Sequence, residues 1–558
     1  MLKQLLPVLL ILATGTTMAQ SIDEARKFLY YDRLTSAEST LKQVIEKDAD
    51  NTEAYYWLFI TKLQQGDTAA AQQALDKVQQ LKAANEKLKV NPVVEAGQVH
   101  LLMIQGKKAE AQTKSEELFK DTKGKNVEVL KALARAQTEA KQGEGNYDYA
   151  IQLLERAQDR AKKDPEVPML LGDAWRRKGD GGKAVSSYQQ AIAIDPNYAR
   201  ANYAIGRIYV TQNNQSVYVK HFTDAINQDD KFAPAYYELY YHYYFRDVNE
   251  AKEYLDKYIA NTDKTVDNDY MMVDLLYVSK KNKEAIAMAN DLLQKQGETA
   301  KPRLYKLIAY SYAADGDSTK ALEYINTYFS KEKPENYVAK DYSLKADLIN
   351  NNNDSASRME SIALLQKAIE LDTLADNKAG YMKQVADMYK LQGDRSQEAY
   401  WLGQVYQTKK DPSNLDIYYW GLAHYAAKEY PQADSAFAIY SEKYPDHLHG
   451  YLWRAKSSAL IDTTMELGLA IPHYQKVIEI ASADSVTNKS VLIQAYGYLG
   501  SYSANVKKDY PVAVEHFEKI LQLDPGNSDA TRYIGILKKW IENGNEASAR
   551  SANSQTGN

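Results

Sequence analysis

Apolar and small residues recur along this chain with the spacing of one face of an α-helix. Two such stripes lie next to each other, carried first by Leu171, Gly172 and Trp175 and then by Ala184, Tyr188 and Ala191. Gly172 and Ala184 are small, which lets two helices approach closely where they cross. Gly179 after the first stripe and Pro196 after the second are typical of helix ends. The segment therefore predicts two packed helices joined by a short turn.

The same pattern returns with a period of about 34 residues. It reads YKLIAYSYAADGDSTKALEYINTYFSKEKP around Ile308 and IYYWGLAHYAAKEYPQADSAFAIYSEKYP around Trp420. Fainter copies begin near Thr52 and Ala199, and residues 21–527 hold about 14 units in all. This period is typical of a helix–turn–helix solenoid, in which each unit contacts only its neighbours.

These residues resemble the tetratricopeptide repeat (TPR) family, whose pattern combines a Leu–Gly pair, a helix-B Ala, an aromatic residue and a closing Pro. Four units carry it most fully: Leu171, Gly172, Trp175, Gly179, Ala184, Tyr188, Ala191 and Pro196; Tyr305, Ile308, Ala309, Tyr312, Gly316 and Ala321; Trp420, Gly421, Ala433, Phe437 and Pro445; Leu499, Gly500, Ala513, Phe517 and Pro525. The resemblance implies an all-α fold, an α-solenoid coiled as a right-handed superhelix of about 14 helix–turn–helix repeats. It covers nearly the whole chain, so the TPR solenoid is predicted over residues 20–529.

Polar stretches interrupt the array. Lys87–Pro92, Asn261–Asp267 and Lys331–Asn336 accumulate polar residues and Pro. Each is either a joint between sub-stacks or an ordinary turn between repeats. Residues 350–357, which read NNNNDSAS, are an insertion.

The first residues predict a signal peptide over residues 1–19. Lys3 supplies a positive charge, Leu5–Leu12 is apolar, and small residues precede a cleavage point between Ala19 and Gln20. The apolar run is shorter than the about 20 residues that span a bilayer. We therefore expect an exported, periplasmic protein of the cell envelope, with no transmembrane segment after cleavage. An exported, Tyr-rich TPR array also resembles secreted TPR proteins of Bacteroidetes.

The other end predicts a cap and a tail. Residues 530–542 form the last helix, with Tyr533, Ile536, Leu537 and Trp540 on one stripe. An open stack needs such a helix to cover its final apolar face. Residues 543–558 are rich in Ser, Asn and Gly, and we predict that they are disordered.

Composition and motifs argue against several functional classes. A formal net charge of −5 over 558 residues predicts no nucleic-acid partner, since phosphate binding needs concentrated Lys and Arg. No Cys is present, which excludes a disulfide framework. The Gly179–Lys183 stretch lacks the spacing of a phosphate loop, and His447 and His449 lack the spacing of a metal pair. We predict no catalytic residue, no metal site and no cofactor. The repeats also leave no stretch of catalytic-domain size, so we expect that the protein is not an enzyme.

Tyrosine is unusually frequent, with 45 residues against 9 Phe. Most fall on packing positions, where the ring is buried and the hydroxyl reaches water. The segment Ala235–Phe245 contains more Tyr than packing requires, because Tyr237, Tyr241 and Tyr244 form a second helical stripe.

In TPR proteins this second stripe of the first helix lines the concave groove. The resemblance therefore implies a groove that continues, on the preceding units, through Arg176, Arg177, Arg200, Tyr203 and Arg207. Arg suits bidentate carboxylate recognition and also stacks on aromatic rings. The hypothesis is a partner-binding groove made of these eight residues. The alternative is that they are ordinary solvated residues, some paired with neighbouring Glu.

The preferred function is a non-enzymatic periplasmic scaffold or adaptor. Its groove would hold an extended or helical segment of an exported or outer-membrane protein, and no nucleic acid is expected as a partner. The alternative is a glycan-binding protein that stacks groove aromatics on sugar rings.

Overall fold

The computed structural model describes residues 21–350 and 354–555. The predicted signal peptide lies outside these residues. Within them the secondary structure consists of helices, and 29 of these are α-helices. Their bounds are α1 Ile22–Tyr30, α2 Leu34–Lys47, α3 Thr52–Gln64, α4 Thr68–Ala84, α5 Val93–Ile104, α6 Lys108–Asp121, α7 Val127–Thr138, α8 Tyr147–Arg160, α9 Glu166–Lys178, α10 Gly181–Ile194, α11 Ala199–Thr211, α12 Gln215–Gln228, α13 Ala233–Tyr243, α14 Val248–Asn261, α15 Val266–Val278, α16 Asn282–Gln296, α17 Arg303–Ala314, α18 Ser318–Lys331, α19 Ala339–Asn350, α20 Ser355–Leu371, α21 Ala375–Gln392, α22 Arg395–Thr408, α23 Asn414–Ala426, α24 Tyr430–Lys443, α25 Leu448–Ile461, α26 Ile471–Ala481, α27 Lys489–Tyr502, α28 Tyr510–Leu523 and α29 Ser528–Gln555.

In chain order, α1 to α28 are fourteen successive helix pairs, and α29 follows them. The predicted all-α solenoid of about 14 repeats is therefore confirmed. None of the described helices is both long enough and apolar enough to cross a bilayer.

The two helices of a pair meet where a glycine of the first faces a ring of the second. A Cβ on Gly172 would lie 2.3 Å from the ring of Tyr188, which is completely buried. The same relationship joins Gly206 to Phe222, Gly421 to Phe437, and Gly500 to Phe517. The helices can approach closely only because these positions lack a side chain, as the sequence predicts for Gly172.

The last of these glycine–ring pairs contains one additional residue. Glycine and ring are sixteen positions apart in three repeats (172 and 188, 206 and 222, 421 and 437) and seventeen in the last (500 and 517). The π-helical turn Ser503–Lys507 accommodates the extra residue. Such turns are the usual result of inserting one residue into a helix.

In most of the described helix pairs, the turn between the two helices passes through the left-handed region of the backbone. Gly179 has a φ of 93° and ends α9, as predicted. Other pairs place Gly66, Gly106, Gly316 and Gly393 there, and several place Asp32, Asn213, Lys280, Lys428 and Lys508 instead. Several repeats therefore keep the turn conformation without its glycine.

The chain divides into two compact units, residues 1–295 and 296–558. Unit 1 contains α1–α16 and unit 2 begins at the end of α16. The polar stretches Lys87–Pro92, Asn261–Asp267 and Lys331–Asn336 lie between successive helix pairs inside a unit, so they are turns rather than joints.

The C-terminal helix differs from the sequence prediction in its length. α29 continues to Gln555, beyond the residue 542 at which the capping helix was predicted to end. Residues 543–555 are therefore helical in the structure, where the composition predicts disorder. Ala, Glu and Arg in this stretch favour a helix, and no Pro ends it. Ala530, Ile534 and Leu537 of this helix are buried against α28, which is the arrangement predicted for a cap.

Candidate partner-binding site

Helix α7 carries one charged stripe on an otherwise apolar sequence. Lys131, Arg135 and Glu139 follow one another at four-residue intervals and therefore lie on one side of the helix. The Lys131 side chain is 5% exposed, and a buried ammonium is stable only when it is paired. It bonds to carboxylates of Glu128 at 2.7 Å, Asp164 at 2.9 Å and Glu166 at 2.8 Å.

Glu166 at the start of α9 connects three cations. Besides Lys131, it accepts hydrogen bonds from Arg135 at 3.0 Å and from Arg26 at 3.1 Å. Burial alone would raise the pKa of Glu166, but the charges of Lys131, Arg135 and Arg26 outweigh it and lower that pKa to about 2. The carboxylate therefore stays ionised and holds α1, α7 and α9 together.

The first helix pair packs across unit 1 against helices far away in the sequence. The Arg26 guanidinium lies 4.7 Å from the centroid of the Trp57 ring, which is buried. The Tyr30 hydroxyl accepts a hydrogen bond of 3.2 Å from the backbone N–H of Arg200. The Tyr31 hydroxyl donates a hydrogen bond of 2.8 Å to Asp229. Helix α1 therefore forms one wall of the space in front of α9 and α11.

Asp263, in the turn after α14, also binds the first helix pair. Its carboxylate accepts hydrogen bonds from the backbone N–H groups of Thr35 at 2.7 Å and Ser36 at 3.2 Å. These groups lie in the first turn of α2, whose own N-cap residue, Arg33, provides no side-chain cap. A carboxylate is stabilising at this position because it satisfies free N–H groups and the helix dipole. A residue more than two hundred positions away thus caps α2.

Two overlapping cavities lie inside unit 1, of about 340 and 370 Å³. We call the second one the arginine cavity. Its lining comes from the first helices of three successive repeats, α7, α9 and α11: Arg135, Thr138, Glu139, Met169, Leu170, Asp173, Arg176, Arg177, Arg200, Tyr203, Ala204 and Arg207. The first cavity shares six of these residues and is closed on its other side by α1 and α3.

Five of the eight predicted groove residues line the arginine cavity together: Arg176, Arg177, Arg200, Tyr203 and Arg207. Arg200, Tyr203 and Arg207 reach it from one face of α11, as the helical spacing predicts. Their arrangement in a shared cavity follows from the stacking of repeats. Their binding role stays a prediction.

The arginines differ in their partners. Arg207 pairs with Glu238, and Arg176 lies 3.7 Å from Asp173, so the alternative of pairing with neighbouring carboxylates holds for these two. Arg177 donates a 2.9 Å hydrogen bond to the neutral amide of Gln142. Within residues 21–350 and 354–555, no ion pair or side-chain hydrogen bond holds the guanidinium of Arg200.

Two carboxyl groups face these cations. The surrounding cavity walls raise the pKa of Glu139, although Arg135, Arg200 and Arg177 oppose that shift. Burial likewise raises the pKa of Asp173, against the opposing effect of Arg176 and Arg200. Desolvation disfavours the charged form of a carboxyl group. The lining of the cavity therefore carries more positive than negative charge, although the chain as a whole is acidic.

The predicted tyrosine stripe is not part of this cavity. Tyr237 lines a neighbouring cavity of about 310 Å³, which also includes Tyr203 and Arg207. Tyr241 is 51% exposed, and its ring packs edge-on against Tyr237 at 4.7 Å. The Tyr244 hydroxyl donates to the carbonyl oxygen of Asp274 in α15 at 3.2 Å. The binding role of the tyrosine stripe stays a prediction.

Two features of the cavity were not predicted. Arg135 and Glu139 belong to a repeat that lacks the Leu–Gly pair, so the repeat pattern did not mark α7 as a groove helix. Their four-residue spacing from Lys131, in the sequence VEVLKALARAQTE, is the signal that identifies them. No local sequence pattern predicts that α1 forms a wall of the first cavity, because its position depends on the curvature of six repeats.

The stretch Gly179–Lys183 is a helix start. The Asp180 carboxylate accepts a hydrogen bond of 2.9 Å from the backbone N–H of Lys183 and so caps α10. His447 is the N-cap residue of α25, and its ring bonds to the Tyr440 hydroxyl at 3.0 Å.

Comparison with known proteins identifies tetratricopeptide repeats in two segments of the chain. A family described as "Tetratricopeptide repeat" matches residues 20–89, and one described as "TPR repeat" matches residues 172–213. Human "DnaJ homolog subfamily C member 3" is 25% identical over 229 residues, which are 39% of this chain and 44% of that protein. The match thus spans less than half the length of the curated relative.

Solved structures of TPR proteins are also similar. The C-terminal part of a TPR repeat-containing protein from Cytophaga hutchinsonii is 27% identical, covers 48% of this chain and 99% of its own, and has a TM-score of 0.34. A tetratricopeptide repeat protein from Parabacteroides merdae is 16% identical, covers 47% of this chain and 98% of its own, and has a TM-score of 0.31. Both family matches fall on helix pairs of the kind that fills the described chain, and these two segments are tetratricopeptide repeats.

Proposed function

We propose that this protein is a non-enzymatic scaffold or adaptor of the cell envelope, and that unit 1 holds a segment of a partner protein at the arginine cavity. TPR repeats imply a protein–protein interaction scaffold. The observation that carries the proposal is the convergence of five Arg side chains from α7, α9 and α11 on one cavity. Arginine is enriched where proteins bind partners because it forms bidentate bonds and stacks on rings.

Export to the periplasm rests on the predicted signal peptide over residues 1–19. Edman sequencing of the protein from a periplasmic fraction of the native cells tests it. We expect the first residue to be Gln20. A chain that retains Met1 and fractionates with the cytoplasm would contradict export.

The binding proposal is tested by reversing two charges, Arg200→Glu together with Arg207→Glu. The tagged wild-type chain and the variant are used to capture partners from the envelope of the native cells, and mass spectrometry identifies what co-elutes. We expect the variant to lose an exported or outer-membrane protein that the wild type recovers. A matched control reverses Arg160 and Lys162, which are exposed at the end of α8 and outside both cavities.

Equal recovery by the two variants would contradict the binding proposal. Loss in both variants would also contradict it, because net charge rather than the cavity would then decide binding. Circular dichroism confirms that each variant remains helical, so that loss of binding is not loss of fold.

Exposed rings at the end of α13 favour glycan binding as a second candidate. Tyr241 is 51% and Phe245 is 83% exposed, and such rings can stack on sugars. Retention of the purified chain on immobilised envelope polysaccharide, lost in Tyr241→Ala with Phe245→Ala, would support this candidate. Passage of the wild type without retardation would eliminate it.

A further inference from the structure

The charge balance of the arginine cavity indicates the chemistry of its occupant. Five Arg side chains line it against two carboxylates, Glu139 and Asp173. A cavity with an excess of one sign concentrates ligands of the opposite sign, most of all when low-dielectric walls surround it. The whole chain carries a formal charge of −5, so the positive lining of this cavity is a local feature.

Two of these guanidiniums form no ion pair with a carboxylate within the described part of the chain, and the carboxylates of Asp32 and Asp173 act on Arg200 only at longer range. Arg200 belongs to α11, and Arg177, held by the Gln142 amide, belongs to α9. Arg200 is half-buried, so its guanidinium has lost part of its hydration without gaining an acceptor in return. Hydrogen bonds to a charged group are stronger than those between neutral groups, and a ligand carboxylate would supply them.

The raised pKa values of Glu139 and Asp173 agree with this reading. Both carboxyl groups line the cavity and compete with a ligand carboxylate for its arginines. Because their charged forms are disfavoured, they oppose an incoming carboxylate less than two ordinary acids would.

We infer that the arginine cavity binds a short acidic segment of a protein, whose side-chain carboxylates pair with Arg177 and Arg200. The inference rests on the proposed function and names the chemistry of the partner. Two cations without an ion pair, on two helices, call for two spaced carboxylates, which a run of Asp or Glu provides. A single terminal carboxylate would satisfy one of them.

The test is a direct binding measurement on the full mature chain. The probe is fluorescein-labelled pentaglutamate with an amidated C-terminus, and the readout is fluorescence anisotropy at low salt. The comparison probe is pentaglutamine amide, which has the same shape without charge. We expect pentaglutamate to bind more tightly than pentaglutamine, and added salt to weaken its binding.

The variant Arg177→Gln with Arg200→Gln should bind pentaglutamate at least about tenfold more weakly, since tenfold corresponds to about 1.4 kcal/mol, less than the loss of one charged hydrogen bond. Arg160→Gln, outside the cavity, should bind as the wild type does. Arg200→Lys should recover part of the loss, because it restores the charge but not the planar fork.

Equal affinity of wild type and the double Gln variant for pentaglutamate would overturn the inference. Binding that requires a free C-terminal carboxylate on the probe would also overturn it. If capture of a native partner depends on Arg200 and Arg207 while pentaglutamate does not distinguish the variants, the inference fails and the proposed function stands. If pentaglutamate distinguishes them and no native partner is captured, the cavity chemistry stands and the proposed function fails.

Discussion

The ring of Tyr188 occupies the space that a side chain on Gly172 would need. The nearest ring atom would lie 2.3 Å from a Cβ on that glycine. At the other end of the same side chain, the Tyr188 hydroxyl donates a 2.8 Å hydrogen bond to Asp173, which lines the arginine cavity. One tyrosine therefore links the packing of α9 and α10 to the wall of the candidate site.

Replacing Gly172 by Ala is expected to destabilise unit 1 by about 1–3 kcal/mol, because the new methyl group overpacks a filled contact. The measurement is the urea midpoint followed by circular dichroism. Gly182→Ala in the same repeat is the control, since its Cβ would lie 3.7 Å from Asp180 and meets no ring. The control should be neutral or slightly stabilising, because Ala favours a helix over Gly. Equal midpoints for the two variants would show that the Gly172 contact can relax.

Lys428 adopts a left-handed conformation with a φ of 63° in the turn between α23 and α24. An L-residue is strained there and Gly is not, so Lys428→Gly should stabilise unit 2 by roughly 0.5–1 kcal/mol. Its neighbour Ala427 has a φ of −75°, and Ala427→Gly should cost a similar amount through lost chain entropy. Thermal midpoints that shift in the same direction for both variants would contradict this account.

The contact between Gly172 and Tyr188 can be predicted from the sequence, whereas the backbone conformation of Lys428 cannot. Gly172 and Tyr188 lie within one repeat, so their contact can be read from a pattern sixteen residues long. Lys428 keeps the conformation of the turn but not its glycine, so the left-handed turn of this repeat is not visible in the sequence.

The candidate site was predicted in part. Arg200 and Arg207 reach the cavity because helical spacing places them on one face of α11, and that spacing is visible in the sequence. The contact between Tyr30 and the Arg200 backbone is not visible, because small rotations from repeat to repeat must add up before α1 meets α11. The position of α1 is therefore a property of the stack rather than of any local segment.

Because of Glu166, the stability of unit 1 should depend on pH in the acidic range. Its pKa falls from an ordinary 4.5 to about 2 in the folded chain. A carboxylate with a lowered folded pKa contributes stability that is present above pH 4.5 and is lost as the pH falls toward 2. The shift corresponds to a contribution on the order of 3 kcal/mol.

Glu166→Gln should therefore be destabilised relative to the wild type near neutral pH, and the difference in urea midpoint should shrink as the pH falls from 4.5 to 2. Glu155→Gln, exposed on α8, is the matched control and should follow the wild type at every pH. A Glu166→Gln difference that is the same at every pH would mean that packing, not charge, accounts for it.

Asp263 should hold the first helix pair in place. Asp263→Ala removes the acceptor for the N–H groups of Thr35 and Ser36 and leaves the start of α2 uncapped. The loss of a cap costs about 1–2 kcal/mol, and it falls on the contact that fixes α1 across unit 1. Hydrogen exchange read by mass spectrometry should therefore accelerate in residues 22–36. Asp247→Ala removes a cap of the same kind, from Asn249 and Glu250 within α14, and should leave exchange in residues 22–36 unchanged. Acceleration in both variants would mean that unit 1 loosens as a whole, and that Asp263 has no separate role in holding α1 against α11.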